Sequence, residues 1–352
     1  MRPHQSRVHS RFSEVLHSDM PIHQRFTALV EDRPGEGWQA LFERCWSGYR
    51  DWYLRSGVFE RPSYLDCRRA LRQHMPELVP VWERLVDLAG AGDIEARVLS
   101  LWCPPAYIAG CSQGIWIDPS HQQGPALLRN YDYSPALLEG NWLATRWCGH
   151  QVLAMGDCLW GALDGMNEAG LAASLSFGGR NQAGKGFGIP LVVRYLLEVS
   201  STVEEACAVL KRVPVHMSYT ITLLDGAAHW ATVFVGPDIA TYVTRRRAIS
   251  NFQHQVDWPQ HAKATFAVER LVAMQQLVER PGTLSEATAA LLQPPLFQTS
   301  YRRGYGTLYS AVYQPAIHSV VLFWQDQRWQ QSLLAPLAGE REIVFPTGPA
   351  TP

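Results

Sequence analysis

The chain has 352 residues, 47% hydrophobic and 18% charged, with a formal net charge of −1. That length allows a large core in one big domain or two smaller ones, and the composition excludes a disordered protein. A chain this close to neutral carries no global field for nucleic acid or an anionic membrane, so neither is expected as a partner.

The start, Met1 to Ser13, is polar and basic with no apolar stretch behind it, and no segment reaches the length of a membrane span. A cytoplasmic protein is therefore expected. Seven cysteines (45, 67, 103, 111, 148, 158 and 207) form no C-x-x-C pair. An odd number without that spacing argues against a disulfide framework or a zinc knuckle. Most should be buried small hydrophobes, with room for one chemical thiol.

In chain order, the first ninety or so residues read helical, with helix-like spacing over Gly37 to Leu54 and Ser63 to Leu88. Glu95 to Cys103 reads as a strand, as do Ser112 to Ile117 and Ala126 to Tyr131. Trp160 to Asp164 and Leu171 to Phe177 form a hairpin around Asn167-Glu168-Ala169-Gly170. Helices follow at Ile189 to Val199 and Thr202 to Arg212, where Thr202 and Glu205 have capping-box spacing. Tyr219 to Leu224 and His229 to Val235 make a hairpin about Asp225-Gly226. The basic run Arg245-Arg246-Arg247 reads as a solvated strand end. Helices around Ala262 to Val278 and Ser285 to Leu292 precede strands at Thr307 to Tyr313 and Ser319 to Trp324. Strands and helix pairs come in blocks, which disfavours a parallel doubly wound sheet and favours an α+β protein with antiparallel sheets covered by helices.

Two motifs mislead. Gly110-Cys111-Ser112-Gln113-Gly114 matches the G-x-S-x-G nucleophile elbow, but no helix start follows it. Gly179 to Gly186 approaches a Walker A loop, yet Gly186 stands where a Mg²⁺-binding Ser or Thr is required, so a flexible glycine loop is expected. The twelve histidines lack ligand spacing, so no metal is expected, and no cofactor.

What remains is Gly110-Cys111. Taken alone it fits either a tight turn before a buried thiol or a self-processing site, where a glycine in a conformation closed to other residues holds a strained peptide. Downstream come Arg129-Asn130-Tyr131-Asp132, the Gly165 to Leu171 turn, Ile189-Pro190-Leu191, Val203-Glu204-Glu205-Ala206, Ile249-Ser250-Asn251-Phe252, Arg303 and Gly306 to Ser310. This ordered series resembles the C45 peptidase family, the acyl-CoA:6-aminopenicillanic-acid acyltransferase-like proteins. More distantly it is similar to the choloylglycine hydrolase and acid ceramidase group. The resemblance covers about Glu95 to Trp324.

The resemblance implies a four-layer αββα sandwich of N-terminal-nucleophile hydrolase type, cleavage of the Gly110–Cys111 bond, and amide chemistry at the freed cysteine. It divides the chain into a helical segment, 1–110, which becomes the smaller chain, and a catalytic domain, 111–352. It makes Cys111 the nucleophile, Asp132 the group that orients the cysteine amine and thiol, and Asn251 an oxyanion donor. Arg129 matches an arginine of the bile-salt-hydrolase-like branch. Arg303 matches a late arginine whose loop spacing varies, and with Ser176 it is expected to bind substrate. Ser176 stands where the choloylglycine branch has an asparagine, which leaves a second oxyanion donor unassigned.

Chemically, a thiol of pKa about 8.5 needs a base, and an α-amine titrating at about 7.7–8.0 on the same residue supplies one. Arg129 should favour the thiolate. The expected function is hydrolysis of a linear amide, or transfer of its acyl group to an amine, with a small-molecule amide or acyl-CoA-type substrate. The two cleaved chains should stay associated, and a homo-oligomer is allowed. The alternatives are a non-catalytic binding protein of the same fold and a serine esterase using Ser112.

Overall fold

Strands that are apolar on both faces must be covered on both, and this chain covers them with each other and with helices. The computed structural model describes residues 21–118, 120, 122–280 and 282–346. β1 (Ile22–Glu31) is followed by α1 (Glu36–Leu54), α2 (Tyr64–His74), α3 (Val79–Leu88) and α4 (Asp93–Ser100). Six strands come next: β2 (Gly110–Trp116), β3 (Ala126–Tyr133), β4 (Asn141–Thr145), β5 (Val152–Asp157), β6 (Gly161–Asn167) and β7 (Ala172–Phe177). Helices α5 (Ile189–Val199) and α6 (Val203–Arg212) lead to β8 (Tyr219–Leu224), β9 (Trp230–Val235), β10 (Tyr242–Thr244) and β11 (Ala248–Ile249). Then come α7 (Pro259–Ala264), α8 (Ala267–Glu279), α9 (Leu284–Leu291), β12 (Gly306–Gln314), β13 (Ser319–Phe323), β14 (Arg328–Ser332) and β15 (Gly339–Phe345).

The larger sheet runs β10-β9-β8-β7-β6-β5-β4-β1-β15 and the smaller β11-β2-β3-β12-β13-β14. Only the β1–β4 pairing is parallel among the described strands. The sheets pack face to face through β2 on β7 and β3 on β8. α5 and α6 cover the larger sheet, while α8 and α9 cover β2 and β3 of the smaller. This is the four-layer αββα sandwich expected. No described helix is long and apolar enough to cross a membrane.

Several elements differ from the sequence reading. The segment before Gly110 is not helical throughout: β1 inserts between β4 and β15 of the larger sheet. Its alternation is weak, with Phe26 and Ala28 buried among polar neighbours. The expected strand over Glu95 to Cys103 is α4, whose Asp93 and Glu95 sit in the first turn and whose Ala96 and Leu99 are buried. Short apolar runs do not distinguish a buried helix from a strand. Pro76 breaks the helix expected over Ser63 to Leu88, and Phe266, in the left-handed region at φ 51°, separates α7 from α8. The Thr202 hydroxyl accepts from the Glu205 N–H at 3.2 Å, but the Glu205 carboxylate caps the Ser201 N–H at 2.6 Å instead of closing the box on Thr202. The glycine loop is partly packed, since a Cβ at Gly186 would lie 2.2 Å from the Val215 carbonyl carbon.

The amino-terminal segment is tied firmly to the sandwich. Trp38 Nε1 donates to the Leu159 carbonyl at 3.0 Å and Trp160 Nε1 to that of Leu99 at 2.8 Å. Tyr49 and Tyr107 both donate to the Asp157 carboxylate, Tyr49 at 3.0 Å.

Candidate active site

β2 and β3 place the site. In their antiparallel register Gly110 faces Asp132, Cys111 faces Tyr131, and Gln113 faces Arg129. Side chains alternate along a strand, so odd positions of β2 look into the inter-sheet core and even positions toward α8. Gln113 confirms the first face, donating to Ser174 Oγ at 2.9 Å and accepting from Thr222 on the opposite sheet. Gly114 confirms the second: a Cβ there would lie 2.6 Å from Met274 Sδ on α8, so only glycine lets the helix settle onto the strand.

Gly110 is extended and paired in the ladder. It is not among the residues of positive φ. The expectation that it stores a strained glycine-only conformation is therefore not met. Glycine is required by space: a Cβ would lie 2.4 Å from Tyr305 Oη and 2.9 Å from the Asp132 carbonyl oxygen.

Cys111 is fully buried. Its backbone N–H donates to Asn251 Oδ1 at 3.0 Å, and Arg129 Nη2 donates to its Sγ at 3.5 Å. Burial pushes the thiol up to about 11, with Arg129 pulling the other way. The arginine thus acts in the expected direction, but in the intact chain desolvation outweighs it.

Arg129 is buried between the sheets. Its Nε stands 2.8 Å from Asp164 Oδ2, and its Nη1 donates to Ser174 Oγ and to the Leu175 carbonyl, each at 2.5 Å. Tyr309 donates to Asp164 Oδ2 at 2.6 Å, and Tyr313 to Oδ1. Burial opposes the guanidinium charge, but Cys111 and Asp164 overcome it and raise its pKa further. A surface ion pair between Arg129 and Asp132 is ruled out, since each has a different buried partner.

The partner of Asp132 is Arg270, on α8. Arg270 Nη1 donates to Asp132 Oδ2 at 2.8 Å and to Ser112 Oγ at 3.0 Å, Nη2 to Asn251 Oδ1 at 2.6 Å, and Nε to the Thr265 carbonyl at 2.8 Å. Thr307 Oγ1 donates to Asp132 Oδ1 at 2.7 Å. Burial raises the Asp132 carboxyl, opposed by Arg270 and Thr307. Asn251 Nδ2 donates to the carbonyls of Ala109 and Phe177, both at 3.3 Å. One arginine therefore locks the carboxylate and the carboxamide that flank the Gly110–Cys111 bond.

Cys111, Arg129, Asp132 and Asn251 lie in one buried hydrogen-bond network, joined through Arg270. Ser176 lies on β7 nearby, and its hydroxyl donates to the Ser250 carbonyl at 3.4 Å. Arg303 does not converge. It is exposed on a one-turn 3-10 segment, Tyr301–Arg303, with no side-chain bond to the site. The resemblance alone suggests it; the buried arginine beside Asp132 and Asn251 is Arg270. Ser112 lies on the α8 face, where its hydroxyl accepts from Arg270, a cation that cannot act as its base.

Arg270 had a legible signal. It sits on the buried stripe Ala267, Arg270, Met274, Leu277 of α8, where a lone charge demands a partner. Asp164 had the same signal, as the one acid in the buried strand Gly161–Asn167. Tyr305 and Thr307 had none. Arg245 and Arg246 are exposed just past β10, as a solvated strand end, and the Arg245-Arg246-Arg247 run lines a cavity of about 520 Å³ with Ser250, Gln253 and Gln275. Among the described residues no group of side chains is arranged to hold a metal.

A family model described as acyl-coenzyme A:6-aminopenicillanic acid acyl-transferase matches residues 120–329, more than half of the chain. The chain belongs to this family. The matched span includes Arg129, Asp132, Ser176, Asn251, Arg270 and Arg303 and begins after Cys111, so the position of Cys111 rests on the geometry above. A search of curated proteins finds no match. Among solved structures, this family member is similar to a mutant of conjugated bile acid hydrolase from Clostridium perfringens, at 12% identity and TM-score 0.45, over 66% of this chain and 96% of that one. Penicillin V acylase from Agrobacterium tumefaciens matches at 16% identity and TM-score 0.40, over 65% and 84%. The Caenorhabditis elegans ortholog of N-acylethanolamine-hydrolyzing acid amidase matches at 16% identity and TM-score 0.42, over 58% and 93%.

Proposed function

We propose that the protein cleaves its own Gly110–Cys111 bond and then uses Cys111 to hydrolyse a linear amide or to transfer its acyl group to an amine. The observation that carries this reading is the grip on the scissile nitrogen. The Cys111 N–H is held by Asn251 Oδ1, itself fixed by Arg270, while the thiol of the same residue lies against Arg129.

In self-cleavage the thiol adds to the Gly110 carbonyl carbon. The C–N bond breaks, the Cys111 nitrogen takes a proton, and a Gly110 thioester remains. Water then attacks the thioester, releasing the Gly110 carboxylate and the free thiol. The new α-amine keeps Asn251 Oδ1 as its acceptor and becomes the base for the thiol in turnover. Departure of the segment before Cys111 removes the Ala109 carbonyl from Asn251 Nδ2. That donor is then available to the oxyanion of an incoming amide. An acyl-cysteine forms, the amine leaves, and water or a second amine takes the acyl group. A small-molecule amide or acyl-CoA-type thioester supplies the acyl group in this scheme.

The smaller chain stays bound, because β1 is hydrogen-bonded on both sides in the larger sheet. Intact-mass measurement and amino-terminal sequencing of purified protein test the proposal. Two associated fragments are expected, the larger beginning at Cys111. A preparation that is fully active as one 39.6 kDa chain overturns the amine-base mechanism.

A further inference from the structure

Self-cleavage, as proposed above, passes through a thioester whose acyl group is Gly110. On that reading the Gly110 α-carbon marks where the α-carbon of a substrate acyl group sits. Its surroundings therefore describe the substrate. A branch at this carbon, in the position of an L side chain, lies 2.4 Å from Tyr305 Oη, 2.8 Å from Tyr305 Cε2 and 2.9 Å from the Asp132 carbonyl oxygen. No carbon fits there, since carbon contacts settle at about 3.5–4.0 Å, and the Asp132 carbonyl belongs to a paired strand that cannot retreat.

An oxygen is a different matter. Hydroxyl-to-oxygen hydrogen bonds span about 2.5–3.0 Å: the Asp132 oxygen already lies at that separation, and a small turn of the Tyr305 ring relieves the close approach of its Cε2 and brings Oη into the same range. The two neighbours are complementary, a hydroxyl that can donate and a carbonyl that can only accept. Tyr305 Oη is buried and has no hydrogen-bond partner among the described residues. Burial raises its pKa, so it remains a donor. A buried hydroxyl left unmatched is costly and calls for a partner that arrives in another state.

We propose that Tyr305 is a specificity-determining residue that selects 2-hydroxyacyl groups. The substrate α-hydroxyl accepts from Tyr305 Oη and donates to the Asp132 carbonyl, and α-methyl acyl groups are excluded at the same point.

The test uses the processed protein with matched p-nitroanilides of hexanoic, 2-hydroxyhexanoic (each configuration) and 2-methylhexanoic acids. Wild type should favour one 2-hydroxy isomer over the unsubstituted amide by about tenfold in kcat/KM, with the 2-methyl amide poorest. Tyr305→Phe should erase the tenfold hydroxyl preference while leaving the 2-methyl amide poor, because the Asp132 carbonyl remains in place. A merely structural role would lower all rates together and leave the ratio intact, and that outcome overturns the proposal. Turnover of the unsubstituted amide with no hydroxyl preference in wild type overturns it too, while amide cleavage at Cys111 still stands. Failure of all the amides, with no acyl-Cys111 detected by intact mass after treatment with the corresponding p-nitrophenyl esters, overturns both.

Discussion

Arg270→Met tests the buried network most directly. The substitution keeps an apolar stem on α8 and removes the cation shared by Asp132, Asn251 and Ser112. Both ends of the Arg270–Asp132 pair are fully buried. Removing one partner of such a pair costs about 3–5 kcal/mol, because the other charge is left unmatched. At roughly 2 °C per kcal/mol for a chain of this size, Tm should fall by about 6–10 °C. The cost should depend on pH. Burial already raises the native Asp132 pKa, and Arg270 is the strongest influence lowering it, so the variant raises it further. A carboxyl whose native pKa exceeds its unfolded value binds more protons when folded. Its contribution is fully present below the unfolded pKa of about 3.9 and is lost as pH rises through the native pKa. The variant should thus lose most at pH 8 and less at pH 5, by about 1.4 kcal/mol for each unit by which its Asp132 titrates above 5. Thermal unfolding at both pH values, in a Cys111→Ala background that keeps both proteins in one chain, measures this. Equal losses at pH 5 and pH 8, or a loss below about 1 kcal/mol, would falsify the view that Arg270 sustains a charged Asp132.

Cys111→Ala should abolish both self-cleavage and turnover, while Ser112→Ala keeps at least part of each, as read by gel and amide hydrolysis. The reverse result would return the protein to the serine hydrolases. In processed enzyme, Asn251→Ala should lower kcat by about 10²–10³-fold, since the donor acts on charge present only in the transition state. Its Cys111 should still be alkylated by iodoacetamide, and the variant should self-cleave slowly, because Asn251 Oδ1 also holds the scissile N–H. A rise in KM alone would move the oxyanion donor elsewhere.

Much of this protein was legible from local pattern. The paired strands β6 and β7 and β8 and β9, with their Asn167 to Gly170 and Asp225-Gly226 turns, follow from alternation and turn chemistry. Gly170 is held at φ 82° in the first turn, where glycine is the natural choice. Cys111, Arg129, Asp132 and Asn251 are singled out through the family resemblance that the order of the motifs carries. β1 and α4 were not legible, because their apolar residues find their role only against β4, β15 and Trp82.

The sequence by itself determined which residue types are available: one glycine–cysteine step, an arginine and an aspartate three apart, a later asparagine, and blocks of strands between helix pairs. These are consequences of covalent order and of short-range periodicity. The tertiary structure alone decided how they pair. Strand register sets Arg129 on the thiol face and Asp132 on the helix face of the same strand. Helix α8 then brings Arg270, which no motif marks, to Asp132 across 138 residues of chain. Which buried charge meets which is decided by packing between distant elements, because each unpaired charge costs several kcal/mol in the interior and spacing along the chain carries no such term.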